Sequence, residues 1–195
     1  MIRRLSILLA IVLASTGVLA TAAGAAGSAD EDFVLAYFPI DDPDVHFTND
    51  WGDSRSGGRS HRGTDVFSPK GTPILAVADG FVEQMKYGPT SGWALYTRHA
   101  DGFETWYMHL DNDTPGTDDG EGGAATAFAA GIEVGDFVSA GEIVAYVGDS
   151  GNAESASAHI HFELHRDGVA RNPFSYLLAS QDRYLKTLEL ASVIR

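Results

Sequence analysis

Short apolar runs broken by glycine and polar turns recur along the chain from residue 74 to residue 165. Ile74 to Ala78, Phe81 to Met85, Trp93 to His99, Phe103 to Leu110, Phe137-Val138, Ile143 to Val147 and His159 to His165 each read as a strand. They are rich in β-branched and aromatic residues and bounded by turn formers. Ala100-Asp101-Gly102 between two of them fits a hairpin turn. The last run alternates strictly, which sends Ile160, Phe162 and Leu164 to a core and His159, His161, Glu163 and His165 to a groove or solvent. Helical spacing emerges only after Asn172-Pro173. There Tyr176, Leu177, Leu178, Tyr184, Leu185, Leu188 and Leu190 fit a short amphipathic helix packed on the domain. The pattern predicts a mainly β, turn-rich fold, and the 22 glycines at the turns agree with it.

The ends and one interior stretch depart from that pattern. Arg3 and Arg4 precede an apolar run from Leu5 to Ala20, and small residues follow to Ala26, so residues 1–26 read as a cleavable signal peptide, with an uncleaved membrane anchor, for which the run is somewhat short, as the alternative. Removal of the signal peptide takes the formal charge from −14 to −16 and leaves no membrane span. Residues 27–49 form an acidic lead in which Phe33 to Phe38 suggests a short strand, and Ser54 to Arg62 reads as a loop. Residues 50–178 hold the strand series and 179–195 the helical tail. Within the series, residues 111–131 form an acidic, Gly/Ala-rich insertion, a length that in a compact domain marks function or disorder. As a calcium loop it fails the EF-hand frame, because Pro115 and Gly122 fall where oxygen ligands are needed.

The acidity excludes nucleic-acid binding through phosphates, since a chain of formal charge −14 repels them. The absence of cysteine excludes disulfides and thiolate metal sites. The chemistry then rests on histidine and carboxylate. One group is the polar face of His159 to His165. Another is His61-Arg62-Gly63-Thr64-Asp65, where a turn at Gly63 lets an imidazole and a carboxylate converge. Two neutral imidazoles with one carboxylate leave Zn²⁺ near +1 and an open fourth position, the arrangement of a catalytic rather than a structural site. His109, at the end of its strand, is a further candidate.

Over roughly residues 50–178 the chain resembles the LytM/lysostaphin-type zinc endopeptidases, which hydrolyse peptidoglycan peptides. The resemblance rests on His-x-Gly-x-Asp at 61–65, Gly-Thr-Pro-Ile-Leu-Ala-Val-Ala-Asp-Gly at 71–80 and Tyr-Met-His-Leu at 107–110. The glycine-centred segments near 135, 141 and 148, His-Ile-His-Phe-Glu at 159–163 and Arg-Asn-Pro at 171–173 follow in the same order. It implies a folded antiparallel β-sheet or sandwich, the duplicated hybrid motif, with an open groove. It implies one Zn²⁺ held by His61, Asp65 and His161, with His109 and His159 as the catalytic histidines. His159 is then the base and His109 the group that positions water or the oxyanion, roles that are interchangeable at this stage. Glu163 is placed to orient a metal ligand. The implied partners are stem peptides or cross-bridges of the wall, and the implied location is extracytoplasmic, through the signal peptide.

Two segments depart from the family pattern, Ser155 to Ala158 before His159 and the acidic insertion after His109, and both are expected to border the groove. His46, His99 and His165 are read as surface or strand-end histidines, and Trp93, Trp106 and Tyr107 as core or groove wall. The resemblance also admits a non-catalytic module that binds wall or activates wall amidases.

Overall fold

A computed structural model describes residues 33–193; the signal-peptide reading lies outside them. The described chain is mainly antiparallel β. Its principal sheet contains β3 (Thr64–Phe67), β5 (Gly80–Gly88), β6 (Gly92–Arg98), β7 (Phe103–Leu110), β8 (Phe137–Val138), β10 (His159–Arg166) and β11 (Val169–Arg171). The order is β11-β10-β7-β6-β5-β8, with β3 paired to the first half of β10. A small sheet pairs β4 (Pro73–Leu75) with β9 (Ile143–Tyr146), and β1 (Ser54–Arg55) pairs with β2 (Arg59–Ser60) in a hairpin.

All seven expected strands are present, with ends shifted by a few residues. The alternation in β10 is realised: Ile160, Phe162 and Leu164 are fully buried in the core. Between β6 and β7 the chain turns at Asp101 and Gly102, both at positive φ. Strands β3 and β11 were not legible, because each is only three or four residues long and lies beside turn-forming residues. The expected loop at 54–62 contains the β1–β2 hairpin, turned by Gly57 and Gly58 at positive φ.

Two boundaries differ from expectation. Residues 33–38 form no strand, yet Leu35, Phe38 and Ile40 are buried in the main core, so this stretch is part of the domain rather than a lead into it. The backbone nitrogen of Tyr37 donates to the carbonyl of Val77 (3.1 Å), and Arg183 donates to the carbonyl of Leu35 (2.7 Å). The C-terminal helix spans Phe174–Val193, so a division at 178/179 cuts through it. It starts directly after Pro173, with the Asn172 side chain accepting from the Phe174 nitrogen (3.0 Å). Leu177 anchors it in the core, and Tyr184 stacks on Phe38.

The acidic insertion folds down rather than hanging free. A single helical turn, Ala124–Ala127, places Ala127 and Phe128 in the core. Lys70 donates to Asp113 (2.7 Å) and Asp118 (2.5 Å) and pairs with Asp149 (2.8 Å), tying the insertion to the strands beneath it. Burial opposes the charge on Lys70, but the three carboxylates outweigh it and raise its pKa well above the usual lysine range.

Candidate metal centre

Strand β10 carries most of the site, since it lies between β3 and β7 and offers alternate side chains to a groove of about 860 Å³. Antiparallel register sets Asp65 of β3 directly opposite His161 of β10. His61 enters from the loop before β3, and its backbone is clamped by bonds to Gly52 and Asp53 (2.9 and 2.8 Å). The three ligand atoms then meet: His61 Nε2 and His161 Nδ1 are 2.7 Å apart, and Asp65 Oδ1 is 3.1 and 2.9 Å from them.

Gly63 matters here for a reason other than the turn expected of it. Its φ is ordinary, but a Cβ at that position would sit 2.5 Å from the Phe162 carbonyl oxygen and 2.7 Å from His161 Nε2. Only glycine lets the loop lie this close to β10.

Each ligand is oriented from behind. His61 Nδ1 donates to the Asp50 carbonyl (3.0 Å) and lies 3.2 Å from its carboxylate, which turns Nε2 to the site. His161 Nε2 donates to Glu163 Oε1 (3.0 Å), which turns Nδ1 to the site. Arg55 holds Asp65 Oδ2 (2.9 Å) and Asp50 Oδ2 (3.2 Å), leaving Asp65 Oδ1 for the site. Glu163 is in turn held by His165 (2.5 Å), whose ring stacks on Trp106 at 3.9 Å. His165 is therefore buried, not at a solvent end as the sequence suggested, because Trp106 covers it. His99 is likewise buried, bonded to Thr105 and to the Asp79 carbonyl, while His46 is exposed as expected.

The electrostatics follow this arrangement. Burial disfavours a charged His61, but Asp50 and Asp65 outweigh it and raise its pKa to about 9. His161 is raised for the same reasons, against burial, by Asp65 and Glu163. Burial pushes Asp65 up, but His161 and His61 hold it far below the usual carboxylate range. Glu163 is held at about 2 by His161 and His165, again against burial.

His109 and His159 stand beside the three ligands with their rings 5.0 Å apart. His109 Nδ1 donates to the Ser150 carbonyl (2.9 Å), and His159 Nδ1 donates to the Ser157 carbonyl (2.8 Å), so each leaves Nε2 for the groove. Burial pushes His109 down to about 4, which keeps it neutral. Its backbone is held at φ 59°, a strained value for a non-glycine residue, by bonds from its nitrogen to Ser91 and to its carbonyl from Gly148.

The donor set fits zinc. Two imidazole nitrogens 2.7 Å apart beside a carboxylate oxygen can share a proton or a metal ion, and two nitrogens with one oxygen is a zinc-binding combination. Among the described residues a second convergent group exists, Asp113, Asp118 and Asp149, but the Lys70 ammonium already lies among them. All five residues expected at the site are thus brought together. Asp50 and Arg55 were missed, since only the folding of the 50–60 loop over β3 carries them there, and residue type alone gives no signal for that.

The groove walls are the β1–β2 hairpin, the β5–β6 turn from Gly88 to Ser91, and the segment from Asn152 to Ala156. Ala156 brings the Ser155 to Ala158 segment to the groove as expected. Among the described residues no part of the 111–131 insertion lines it, because Lys70 and the buried Ala127-Phe128 hold the insertion elsewhere.

Residues 59–121 and 123–173 match the model of peptidase family M23. The chain is 30% identical over 115 residues to the peptidoglycan DD-endopeptidase ShyC of Vibrio cholerae, covering 59% of this chain and 22% of that protein. It is 28% identical over 131 residues to the L-Ala–D-Glu endopeptidase of Bacillus subtilis, covering 64% of this chain and 36% of that protein. The chain therefore spans well under half the length of either relative. In fold it is similar to the catalytic domain of lysostaphin from Staphylococcus simulans, with a TM-score of 0.54, 25% identity, and coverage of 68% of this chain and 92% of that one.

Proposed function

The chain belongs to peptidase family M23, and from that premise we propose that it is an exported zinc-dependent endopeptidase cutting peptide cross-links of bacterial peptidoglycan. The observation that carries this reading is the meeting of His61 Nε2, Asp65 Oδ1 and His161 Nδ1 within 4.8 Å of one another, with His109 and His159 beside them. The apolar run after Arg3-Arg4 supports export.

His61, Asp65 and His161 would hold the ion, which would supply Lewis acidity for the scissile carbonyl and a water acidified for attack. His109, neutral and weakly basic with its pKa at about 4, accepts a hydrogen bond at Nε2 and fixes the water's orientation. That low basicity suits it to positioning rather than to keeping a proton, and a neutral ring with its hydrogen on Nδ1 offers nothing to an oxyanion. His159 takes the proton at Nε2 and returns it to the leaving amine. His159 Nε2 lies 4.0 Å from Asp65 Oδ1, so the proton is taken and returned directly beside the ligand atoms. Arg55, Asp50 and Glu163 keep the ligand atoms aimed, which lowers the reorganisation needed during the reaction.

The test is digestion of defined cross-linked muropeptides by the zinc-loaded chain, read by mass spectrometry. Cleavage by wild type and none by His161→Ala is expected. Intact cross-links after incubation with zinc-loaded wild type would overturn the reading in favour of a binding module.

A further inference from the structure

We propose that the groove selects peptides bearing a free carboxylate, paired by Arg59 and Arg62, over uncharged strands such as oligoglycine; this rests on the peptidase reading above. The charge balance of the groove is opposite to that of the chain. Three of the 13 lysines and arginines line it, but only two of the 27 acids do. Both of those acids are already engaged, Asp65 by His61, His161 and Arg55, and Glu163 by His161 and His165.

The cations are not equally engaged. Arg55 is spent on Asp50 and Asp65. Arg59 uses only Nε, donating to the Ser56 carbonyl at 3.2 Å, which leaves its two terminal nitrogens. Arg62 makes no hydrogen bond or ion pair among the described residues, and both side chains are exposed. These two guanidiniums flank His61 in sequence and line the same groove as the metal ligand. A planar guanidinium matches a carboxylate with two parallel hydrogen bonds. The formal charge of −14 repels anions at long range, so short-range pairing with these arginines is what admits an acidic peptide. A glycine strand offers them only neutral carbonyl oxygens, with no charge to pair and no matching two-oxygen face.

The experiment compares a cross-linked stem peptide carrying free carboxylates with the same peptide amidated at them. Calorimetric titration into the metal-stripped full chain reads binding without turnover. Wild type is expected to bind the acidic peptide about tenfold tighter, and the Arg59→Gln/Arg62→Gln variant to bind both peptides alike. Arg59→Lys/Arg62→Lys, which keeps the charge, is expected to recover part of the preference. Equal affinities in wild type, no measurable binding of the acidic peptide, or a preference that survives in the glutamine variant with an unchanged melting temperature would each overturn the proposal. If the zinc-loaded chain shows the preference yet cleaves neither peptide, the hydrolase reading falls and the carboxylate-selecting groove stands.

Discussion

Asp65 and His161, 96 residues apart in sequence, are direct cross-strand neighbours of β3 and β10, and their side chains meet at 2.9 Å. The distance between two of the three candidate ligands is therefore fixed by sheet register rather than by a flexible loop. Successive side chains on a strand point to opposite faces, so a slip of one residue would turn Asp65 away from the groove. The candidate metal centre and the sheet are built from the same strands, so damage to the pairing is damage to the site.

Gly63→Ala tests that coupling. The added Cβ collides with the Phe162 carbonyl and the His161 ring, so β3 must move away from β10. Overpacking of this kind costs about 1–3 kcal/mol. We expect a lower melting temperature together with weaker zinc binding in a chelator competition. A variant that melts lower but holds zinc as tightly as wild type would show that the ligands are not set by this pairing.

The strand series was legible because its signals are local, whereas the five candidate site residues are named through the family resemblance, each local pattern being weak alone and His109 carrying no local signal. Alternation in His159 to His165 needs only period two, and His61 and Asp65 lie four residues apart. What failed was what depends on contacts made far along the chain. Leu35, Phe38 and Ile40 enter the core without forming a strand, so periodicity could not reveal them. His165 is covered by Trp106 of a neighbouring strand. The 111–131 insertion is drawn from the groove by Lys70, over forty residues earlier, and an acidic loop gives no sign of where its counter-ion lies.

Glu163→Gln probes the bonds behind the ligand. The carboxylate accepts from both His161 and His165, whereas the amide presents one oxygen and one nitrogen and cannot accept on both sides. Zinc affinity is expected to fall by about 10–100-fold, the usual cost of losing such a partner. Affinity within twofold of wild type would remove Glu163 from the account.

Proton competition gives the site a pH signature. In the metal-free protein the pKa of His61 is raised to about 9, so below that pH zinc must displace a proton. Affinity should therefore rise with pH up to about 9, roughly tenfold per unit for each proton released. The stability of the metal-free chain carries both signs. The contribution of His61 is fully present below its unfolded value of 6.5 and lost as pH rises through about 9. His109, lowered to about 4, binds fewer protons folded than unfolded between 4 and 6.5, so its effect is lost stability as pH falls through that window. From these two groups, thermal melts of stripped protein should be highest near pH 6.5. Zinc affinity independent of pH between 6 and 9 would contradict the assignment of His61.

Lys70→Met should loosen the insertion without touching the groove. It leaves Asp113 and Asp149, both nearly inaccessible, without their cation. Breaking such a pair is strongly destabilising, and the partial exposure of Lys70 reduces the cost to roughly 2 kcal/mol. A lower melting temperature and faster proteolysis within 111–131, with zinc affinity unchanged, is the expected outcome. An unaltered melt would mean that the insertion is held by Ala127 and Phe128 alone.

The most direct test of the central claim is anomalous diffraction at the zinc edge from a crystal of the zinc-loaded chain. One peak is expected, bonded to His61 Nε2, Asp65 Oδ1 and His161 Nδ1, with no fourth protein ligand. A peak among Asp113, Asp118 and Asp149 alone, a fourth side chain closing the coordination, or no peak at these three atoms would contradict it.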